Sequence, residues 1–263
     1  MNKFYVITNQ TKDKSLEITY RIKNYIELQG RACVLAIEDN EVPKDMDCIL
    51  VVGGDGTMIR AAREYRGYDV PIMGINMGKL GYLPEAEVHN LEESLEQIIY
   101  GTSQIEERMM LKGIVNDEIE AVALNDIVLT RCGSLRIITF NVYVNGELLN
   151  TYHADGIIVS TPTGTTAYNL SAGGPIVKPT ASMIVITPIC SHALNTSSIV
   201  LSADDEIVLE VCEPASVSFD GEKNVDVRNG DKIVIRKAEE TAKLLKLSKI
   251  SFLERLRKKM KGN

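Results

Sequence analysis

The first hundred residues alternate between short apolar runs and stretches in which apolar residues recur at helical spacing. Residues 16–29 follow the helical pattern and end at Gly30. Cys48–Val52 is wholly apolar, as a strand buried on both faces requires. This alternation predicts a parallel sheet covered by helices. We expect strands at 4–8, 32–37, 48–52 and 71–75, and helices at 16–29, 58–65 and 91–100.

The pattern changes after about residue 105, where helical spacing nearly disappears and strand-like runs follow one another closely. Asn145-Gly146 is a strong hairpin-turn signal between two such runs, and Asn229-Gly230-Asp231 is another turn. Closely spaced strands with these turns are typical of an antiparallel sandwich. The runs lie at 109–115, 121–130, 137–144, 156–160, 183–187, 199–201, 206–211, 216–220 and 232–236.

The end of the chain has a third pattern, in which Phe252, Leu253, Leu256 and Met260 share one face of a predicted basic helix. Such a helix can lie on an anionic membrane, but one short helix anchors weakly, so we expect it to pack back on the N-terminal domain. The fold class is therefore α/β plus all-β. We predict a Rossmann-like α/β domain at 1–105 with the final helix at 247–263, and a C-terminal antiparallel β-sandwich at 106–246.

Composition narrows the class of protein. Lys and Arg number 29 against 36 Asp and Glu, and the net charge of −7 argues against a general nucleic-acid binder. Anionic ligands would need local backbone donors, a few basic groups or a metal ion. No apolar run approaches the roughly 18 residues of a membrane span, and the N-terminus is too polar for a signal peptide. The five cysteines include no Cys-x-x-Cys pair, so we expect buried thiols in a cytoplasmic protein.

The sharpest local signal is Gly53-Gly54-Asp55-Gly56-Thr57, between a predicted buried strand and a predicted helix. Three glycines allow phosphate oxygens to approach main-chain N–H groups closely. A carboxylate there would repel phosphate unless it binds a metal ion or accepts a proton, and both roles suit a kinase. The plainer interpretation is a turn in which Asp55 or Thr57 caps the helix. The spacing is neither that of a P-loop nor that of a dinucleotide fingerprint.

Residues 155–175 hold a dense row of small hydroxyl groups with glycines and prolines. Hydroxyls and free N–H groups can hydrogen-bond ribose and pyrophosphate oxygens, and the ring of Tyr168 can stack on a purine. The plainer interpretation is a Ser/Thr-rich loop with a core tyrosine. Asp126 and Asp155 suit ribose recognition, because a carboxylate can accept from two neighbouring hydroxyls; either acid could instead belong to a turn. The hydroxyls belong to Ser160, Thr161, Thr163, Thr165, Thr166 and Ser171.

The glycine-rich run 53–57 resembles the motif shared by NAD kinases, diacylglycerol and sphingosine kinases, and 6-phosphofructokinases. Three other segments favour the first family. Residues 74–83 resemble its second glycine-rich segment, Asn125-Asp126 stands where it has Asn-Glu, and 155–175 resembles its signature over nearly the whole length. The resemblance implies a bacterial-type enzyme that moves a phosphoryl group from ATP to the 2′-hydroxyl of the adenosine ribose of NAD, giving NADP.

The resemblance also implies a role for individual residues. Asp55 is expected to accept the proton of the 2′-hydroxyl, directly or through a metal ligand, while Gly54, Gly56 and Thr57 place backbone donors around the phosphates. Mg²⁺ or another divalent cation would bridge the donor phosphates, and no metal-ligand set is assigned. The other expected nucleotide contacts are Tyr82, Asn125, Asp126, Asp155, Thr163, Thr165, Thr166, Ala167, Tyr168, Ser171 and Asp220. For Asp220, an ordinary hairpin turn is an equal alternative.

Several questions stay open at this level. The resemblance implies a homodimer or homotetramer, and His192 corresponds to a family histidine that we expect to be structural. Neither the donor preference between ATP and polyphosphate nor the use of NADH follows from the residues. One alternative is a lipid kinase of the diacylglycerol or sphingosine type, which would need an apolar cleft rather than a row of hydroxyls. Another is a non-catalytic NAD-binding regulatory protein, which has no need of a proton acceptor at Asp55.

Overall fold

A computed structural model describes residues 1–37, 41–78, 81–101, 103–133, 136–191, 197–247 and 251–261. His192 therefore lies outside the described residues. The chain divides into two compact units, Met1–Glu107 with Ala242–Asn263, and Arg108–Thr241. Each unit has its own hydrophobic core.

Strands and helices alternate in the first part of the chain, as the apolar pattern predicts. Short 3-10 helices lie at Arg66–Tyr68 and Val88–Asn90. The longer elements are β1 (Lys3–Thr8), α1 (Glu17–Leu28), β2 (Ala32–Leu35), β3 (Cys48–Val52), α2 (Asp55–Glu64), β4 (Ile72–Asn76), β5 (Ala86–Glu87) and α3 (Leu91–Ile99).

Strands dominate the rest of the chain, with a 3-10 turn at Gly164–Thr166. The elements are β6 (Gln104–Val115), β7 (Ile119–Ala123), β8 (Asp126–Arg131), β9 (Ile138–Val144), β10 (Glu147–Ala154), β11 (Gly156–Ser160), α4 (Tyr168–Ser171), β12 (Met183–Ile189), β13 (Ile199–Ser202), β14 (Ile207–Val211), β15 (Ala215–Phe219), β16 (Lys223–Val227), β17 (Lys232–Lys246) and α5 (Phe252–Met260).

The first unit is built on a parallel sheet with the strand order β2–β1–β3–β4. The end of β17 adds to it, because Leu244 pairs in parallel with Ile72 of β4. All five residues of β3 are buried, as expected for a strand covered on both faces. Since parallel strands end at the same edge, this sheet places the segments after β1, β3 and β4 along one edge.

The second unit is a sandwich of two antiparallel sheets, which confirms the predicted fold class. One sheet contains β10, β9, β14 and β17, with β6 pairing to β17 and to β7. The other has the order β13–β12–β11–β8–β15–β16. Inward-facing residues of both sheets form one core, and they include Phe140, Leu209 and Ile235 from the first sheet and Leu129, Ile157 and Val217 from the second.

Several predicted boundaries are wrong. The single strand expected at 121–130 is two strands, because the backbone between β7 and β8 is drawn to the side chain of Asp220. β10 and β16 went unpredicted because most of their residues are exposed and show no apolar alternation. β2 ends at Leu35 rather than at 37, α2 begins at Asp55 rather than at 58, and β17 continues to Lys246 rather than ending at 236.

The final helix also differs from its predicted apolar face. Leu253 and Met260 are 71% and 74% exposed, whereas Arg255 is buried. Arg255 donates hydrogen bonds to Pro84 and Glu85 of the first unit, so a guanidinium docks the helix. Cys132 and Cys190 are exposed, in contrast to the expected burial, while Cys33 and Cys48 are buried. Within the described ranges, no helix is both long and apolar enough to cross a bilayer.

Candidate active site

The glycine-rich loop lies where β3 passes into α2. Gly54 precedes the first residue of the helix in an extended conformation, and no side chain caps the helix. The plainer interpretation, in which Asp55 or Thr57 is the cap, is therefore not what the structure has. The first N–H groups of a helix lack intrahelical acceptors and attract anions. The backbone of Asp55, Gly56 and Thr57 supplies such groups.

Neighbouring side chains explain two of the three glycines. A Cβ atom at Gly53 would lie 2.5 Å from Thr57 Oγ1, and one at Gly54 would lie 2.9 Å from Lys12 Nζ. A Cβ atom at Gly56 would meet nothing within 4 Å. Gly53 is thus required by packing, Gly54 lies under a lysine ammonium group, and Gly56 faces open space.

The carboxylate of Asp55 is held by two backbone amides. Tyr82 N–H donates to Oδ2 and Leu83 N–H donates to Oδ1, both at 3.0 Å. A Cβ atom at Gly81 would collide with Asp55 Oδ1, so glycine is needed there. Burial, followed by the charge of Asp55, raises the pKa of Tyr82. The carboxylate is therefore oriented by the 81–83 segment, and the Tyr82 ring lies 4.9 Å from Lys259 Nζ.

The segment after β1 supports the loop from the same edge of the sheet. Asn9 Nδ2 donates to Thr57 Oγ1 at 3.2 Å, and Thr57 is buried. The Thr57 hydroxyl thus anchors the start of α2. Lys12 N–H donates to Asn9 O, which folds the chain back toward Gly54. Sequence reasoning missed Asn9 and Lys12; the available signal was a polar Asn-x-x-Lys directly after a buried strand.

The second unit contains a cavity of about 360 Å³. Five residues predicted to contact nucleotide line it: Asn125, Asp126, Ala167, Tyr168 and Asp220. Val128, Thr130, Ser218 and Gly221 complete the wall. A small cavity with an aromatic ring and a few polar groups is typical of a ligand site.

Asp220 organises one wall of the cavity through its side chain. Its carboxylate accepts from the backbone N–H groups of Leu124 (2.9 Å), Asn125 (2.7 Å) and Asp126 (3.2 Å). Asp220 and Gly221 both have positive φ, as in a tight hairpin turn between β15 and β16. The turn interpretation is therefore correct for the backbone. The carboxylate also positions Asn125 and Asp126, a role that the sequence did not reveal.

Asp126 is a buried acid in the wall of the cavity. It is only 5% exposed, and none of the described residues hydrogen-bonds its carboxyl group in the structure. Burial, followed by the charge of Asp220, raises the pKa of Asp126 to about 7. The Asp126 carboxyl group thus lines the cavity and can accept hydrogen bonds from a ligand. Asp126 is not the surface turn residue of the plainer interpretation.

The hydroxyl row of 160–166 is used mainly inside the protein. Thr161 Oγ1 donates to Leu124 O at 2.6 Å. Thr165 is fully buried and donates to Pro162 O at 2.7 Å. Thr163 accepts from Arg108 at 3.3 Å, and Thr166 donates to Thr163 O at 3.3 Å. Thr161 thus ties the loop to the segment between β7 and β8, while the other hydroxyls bond within the loop or to β6. Their direct contact with a nucleotide stays a prediction.

The residues after this loop are more accessible. Tyr168 is 44% exposed and lines the cavity, so it is not a core tyrosine. Ser171 is exposed at the end of α4. Buried Asn169 fixes the short helix, because it donates to Pro175 O and accepts from Thr187. The arrangement leaves the Tyr168 ring free to stack on a ligand in the cavity.

Asp155 does not line the cavity with the other acids. It forms an ion pair with Arg131 at 2.9 Å, and Arg131 lines a second cavity of about 670 Å³ with Cys132, Arg136 and Glu213. A role of Asp155 in ribose recognition stays a prediction.

Comparison with known proteins covers nearly the whole chain. Residues 6–103 match the ATP-NAD kinase N-terminal domain, and residues 124–247 match the ATP-NAD kinase C-terminal domain. The NAD kinase of Agathobacter rectalis is 48% identical over 100% of this chain and 99% of its own. The NAD kinase of Lachnospira eligens is 44% identical over 99% of this chain and 100% of its own.

Solved structures give the same picture. An NAD kinase from Archaeoglobus fulgidus in complex with ATP superimposes with a TM-score of 0.82 and 27% identity, covering 98% of this chain and 97% of that one. A yeast NADH kinase complexed with NADH shares the fold with a TM-score of 0.85 and 22% identity, covering 100% of this chain and 88% of that one. The chain belongs to the NAD kinase family.

Proposed function

We propose that this chain transfers the terminal phosphoryl group of ATP to the 2′-hydroxyl of the adenosine ribose of NAD, giving NADP. The observation that carries the proposal is the Asp55 carboxylate at the start of α2, beside backbone donors for phosphate and oriented by two amides. Phosphoryl transfer depends on positioning and charge stabilisation more than on covalent chemistry. The full-length match to bacterial NAD kinases supports the substrates.

The donor phosphates are proposed to bind at the start of α2. The free N–H groups of this helical turn are available to an anion, and the positive end of the helix dipole favours one there. The exposed side of Gly56 lets a phosphate approach closely. Lys12, whose ammonium group lies above Gly54, adds a positive charge. These groups supply the local positive field that a chain with a net charge of −7 requires.

Asp55 is the proposed proton acceptor for the attacking 2′-hydroxyl. Its two oxygens are fixed by the amides of Tyr82 and Leu83, which leaves further lone pairs for a hydroxyl donor. A base held in one orientation contributes about 10²- to 10⁴-fold to proton-transfer reactions.

The acceptor substrate is proposed to bind in the cavity of the second unit. Asn125 and Asp126 are proposed to hold ribose hydroxyls, because Asp126 has free acceptor capacity there. The ring of Tyr168 is proposed to stack on the adenine, which is worth about 1–3 kcal/mol by analogy with base–aromatic stacking. Ala167, next to Tyr168 in the cavity wall, leaves space for the base.

A divalent metal ion is expected to accompany the donor phosphates. The described part of the chain has no group of three or more His, Cys, Asp and Glu side chains suited to a metal ion. Asp55 already accepts two hydrogen bonds. We propose that Mg²⁺ or another divalent cation binds the phosphate oxygens of ATP, whose charge it offsets.

The assembly and its location are proposals from the family resemblance alone. We propose a cytoplasmic homodimer or homotetramer. Size-exclusion chromatography with light scattering of the purified protein would show a mass of about two or four times 29.1 kDa. A single 29.1 kDa species at micromolar concentration would overturn the oligomer proposal.

The reaction is tested by incubating purified protein with NAD, ATP and Mg²⁺ and measuring NADP with an NADP-specific dehydrogenase. We expect NADP from the parent and from Asp204→Asn, a control variant at an exposed turn acid. Asp55→Asn should lower kcat by about 10²-fold or more. Absence of NADP with ATP, and with polyphosphate, would overturn the proposal in favour of NAD binding without catalysis.

A further inference from the structure

The C-terminal helix α5 buries a charged side chain more deeply than any of its apolar side chains. Arg255 is 5% exposed, whereas Leu253 is 71% exposed. Burying a guanidinium group is unfavourable unless its donors find acceptors. The hydrogen bonds of a buried arginine therefore hold its acceptor groups in a defined position.

Among the described residues, the acceptors of Arg255 lie in the segment 81–85. Nη1 donates to Pro84 O at 2.8 Å and makes a longer contact of 3.4 Å with Gly81 O. Nη2 donates to Glu85 Oε1 at 2.7 Å. The Glu85 side chain is 1% exposed and also pairs with Lys246. The planar guanidinium thus fixes both ends of the segment in one geometry.

The opposite side of this segment holds Asp55. Tyr82 and Leu83, which donate to the Asp55 carboxylate, lie between the two carbonyls that accept from Arg255. The peptide group between Gly81 and Tyr82 serves both partners, because its C=O faces Arg255 and its N–H faces Asp55. Since a peptide group is planar, fixing the direction of the carbonyl fixes the direction of the N–H.

We propose that Arg255 is a positioning residue for phosphoryl transfer, which acts by holding the 81–85 segment so that its amides orient the Asp55 carboxylate. This inference rests on the proposed role of Asp55. Lys259, on the same helix, lies 4.9 Å above the Tyr82 ring and supports the segment from the same side. Misplacing a reacting group by about 1 Å can lower a rate about 10²-fold.

The test compares Arg255→Lys and Arg255→Met with Arg257→Met, a matched control on the exposed side of α5. Far-UV circular dichroism and thermal unfolding report whether each variant is folded, and Arg255→Lys, which keeps the charge, carries the test if Arg255→Met does not fold. We expect both Arg255 variants to lower kcat about 10- to 100-fold, with KM for NAD and ATP within about two-fold. The control should keep parental kcat.

A double-mutant cycle with Asp55→Asn separates positioning from general damage to the fold. If Arg255 acts through Asp55, Arg255→Lys should change kcat less than about two-fold in the Asp55→Asn background. Equal losses in both backgrounds, or parental kcat in Arg255→Lys, would overturn the inference. Near-parental kcat in Asp55→Asn alone would instead overturn the proposed function of Asp55.

Discussion

Replacing Asp126 with Asn should stabilise the protein above neutral pH while it weakens NAD binding. Burial raises the pKa of Asp126 from 3.8 to about 7, so the folded state binds the proton more tightly than the unfolded chain does. Stability therefore falls as the pH rises from about 4 to about 7, and the loss is complete above pH 7. Asparagine has a similar shape, carries no charge and removes this loss.

The magnitude follows from the pKa difference. About three pH units between the two states correspond to about 4 kcal/mol, at about 1.4 kcal/mol for each unit. Only 5% of Asp126 is exposed, so solvent screens this effect little. Between pH 5 and pH 8 the parent should lose about 3 kcal/mol through this group, while Asp126→Asn should not. In a chain of this size, that difference is about 6–12 °C in Tm.

The assay is thermal unfolding of the parent, Asp126→Asn and the exposed control Asp204→Asn at pH 5 and pH 8. The Tm difference between Asp126→Asn and the parent should grow by several degrees at pH 8, and the control should show no such growth. An equal Tm difference between Asp126→Asn and the parent at both pH values would refute the argument that ionised Asp126 destabilises the folded protein. Isothermal titration should show weaker NAD binding to Asp126→Asn at pH 8.

Three further substitutions test the remaining contacts. Asp220→Ala removes the acceptor of three backbone N–H groups, so it should raise KM for NAD at least about 10-fold and lower Tm. Steady-state kinetics and thermal unfolding measure these changes, and unchanged values would contradict the role of Asp220 in positioning Asn125 and Asp126. Tyr168→Ala should raise KM for NAD about 10- to 100-fold by loss of stacking, while Tyr168→Phe keeps it. Lys12→Met should raise KM for ATP more than KM for NAD, and an effect confined to NAD would remove Lys12 from the donor site.

Much of the fold follows from apolar periodicity. The buried run at 48–52 predicts a central strand, and the structure has β3 at the same residues. The Asn145-Gly146 turn also lies where expected, with positive φ at both residues. β10 could not be predicted, because six of its eight residues are exposed and only Tyr152 and Ala154 of this strand face the core. Local pattern carries no signal for such an edge strand.

The sequence predicts many of the residues that line the site, but not the role of each one. The structure gathers Asn125, Asp126 and Tyr168 around one cavity, as loops that follow strands allow. The Asp220 carboxylate accepts hydrogen bonds from residues 94 to 96 positions away in sequence, and no local pattern reveals such a contact. Arg255 is similar, because its acceptors lie 170 to 174 positions away. Long-range hydrogen bonds decide which polar residues contact a ligand and which hold the others in place.

The most direct test of the central claim is a single-turnover measurement of NADP formation by the parent and Asp55→Asn, with NAD affinity determined separately by titration calorimetry. If Asp55 is the proton acceptor, Asp55→Asn should bind NAD about as tightly as the parent. Its chemical step should be slower by about 10²-fold or more. A chemical step near the parental rate would contradict the account, because the oriented carboxylate would then have no part in the transfer.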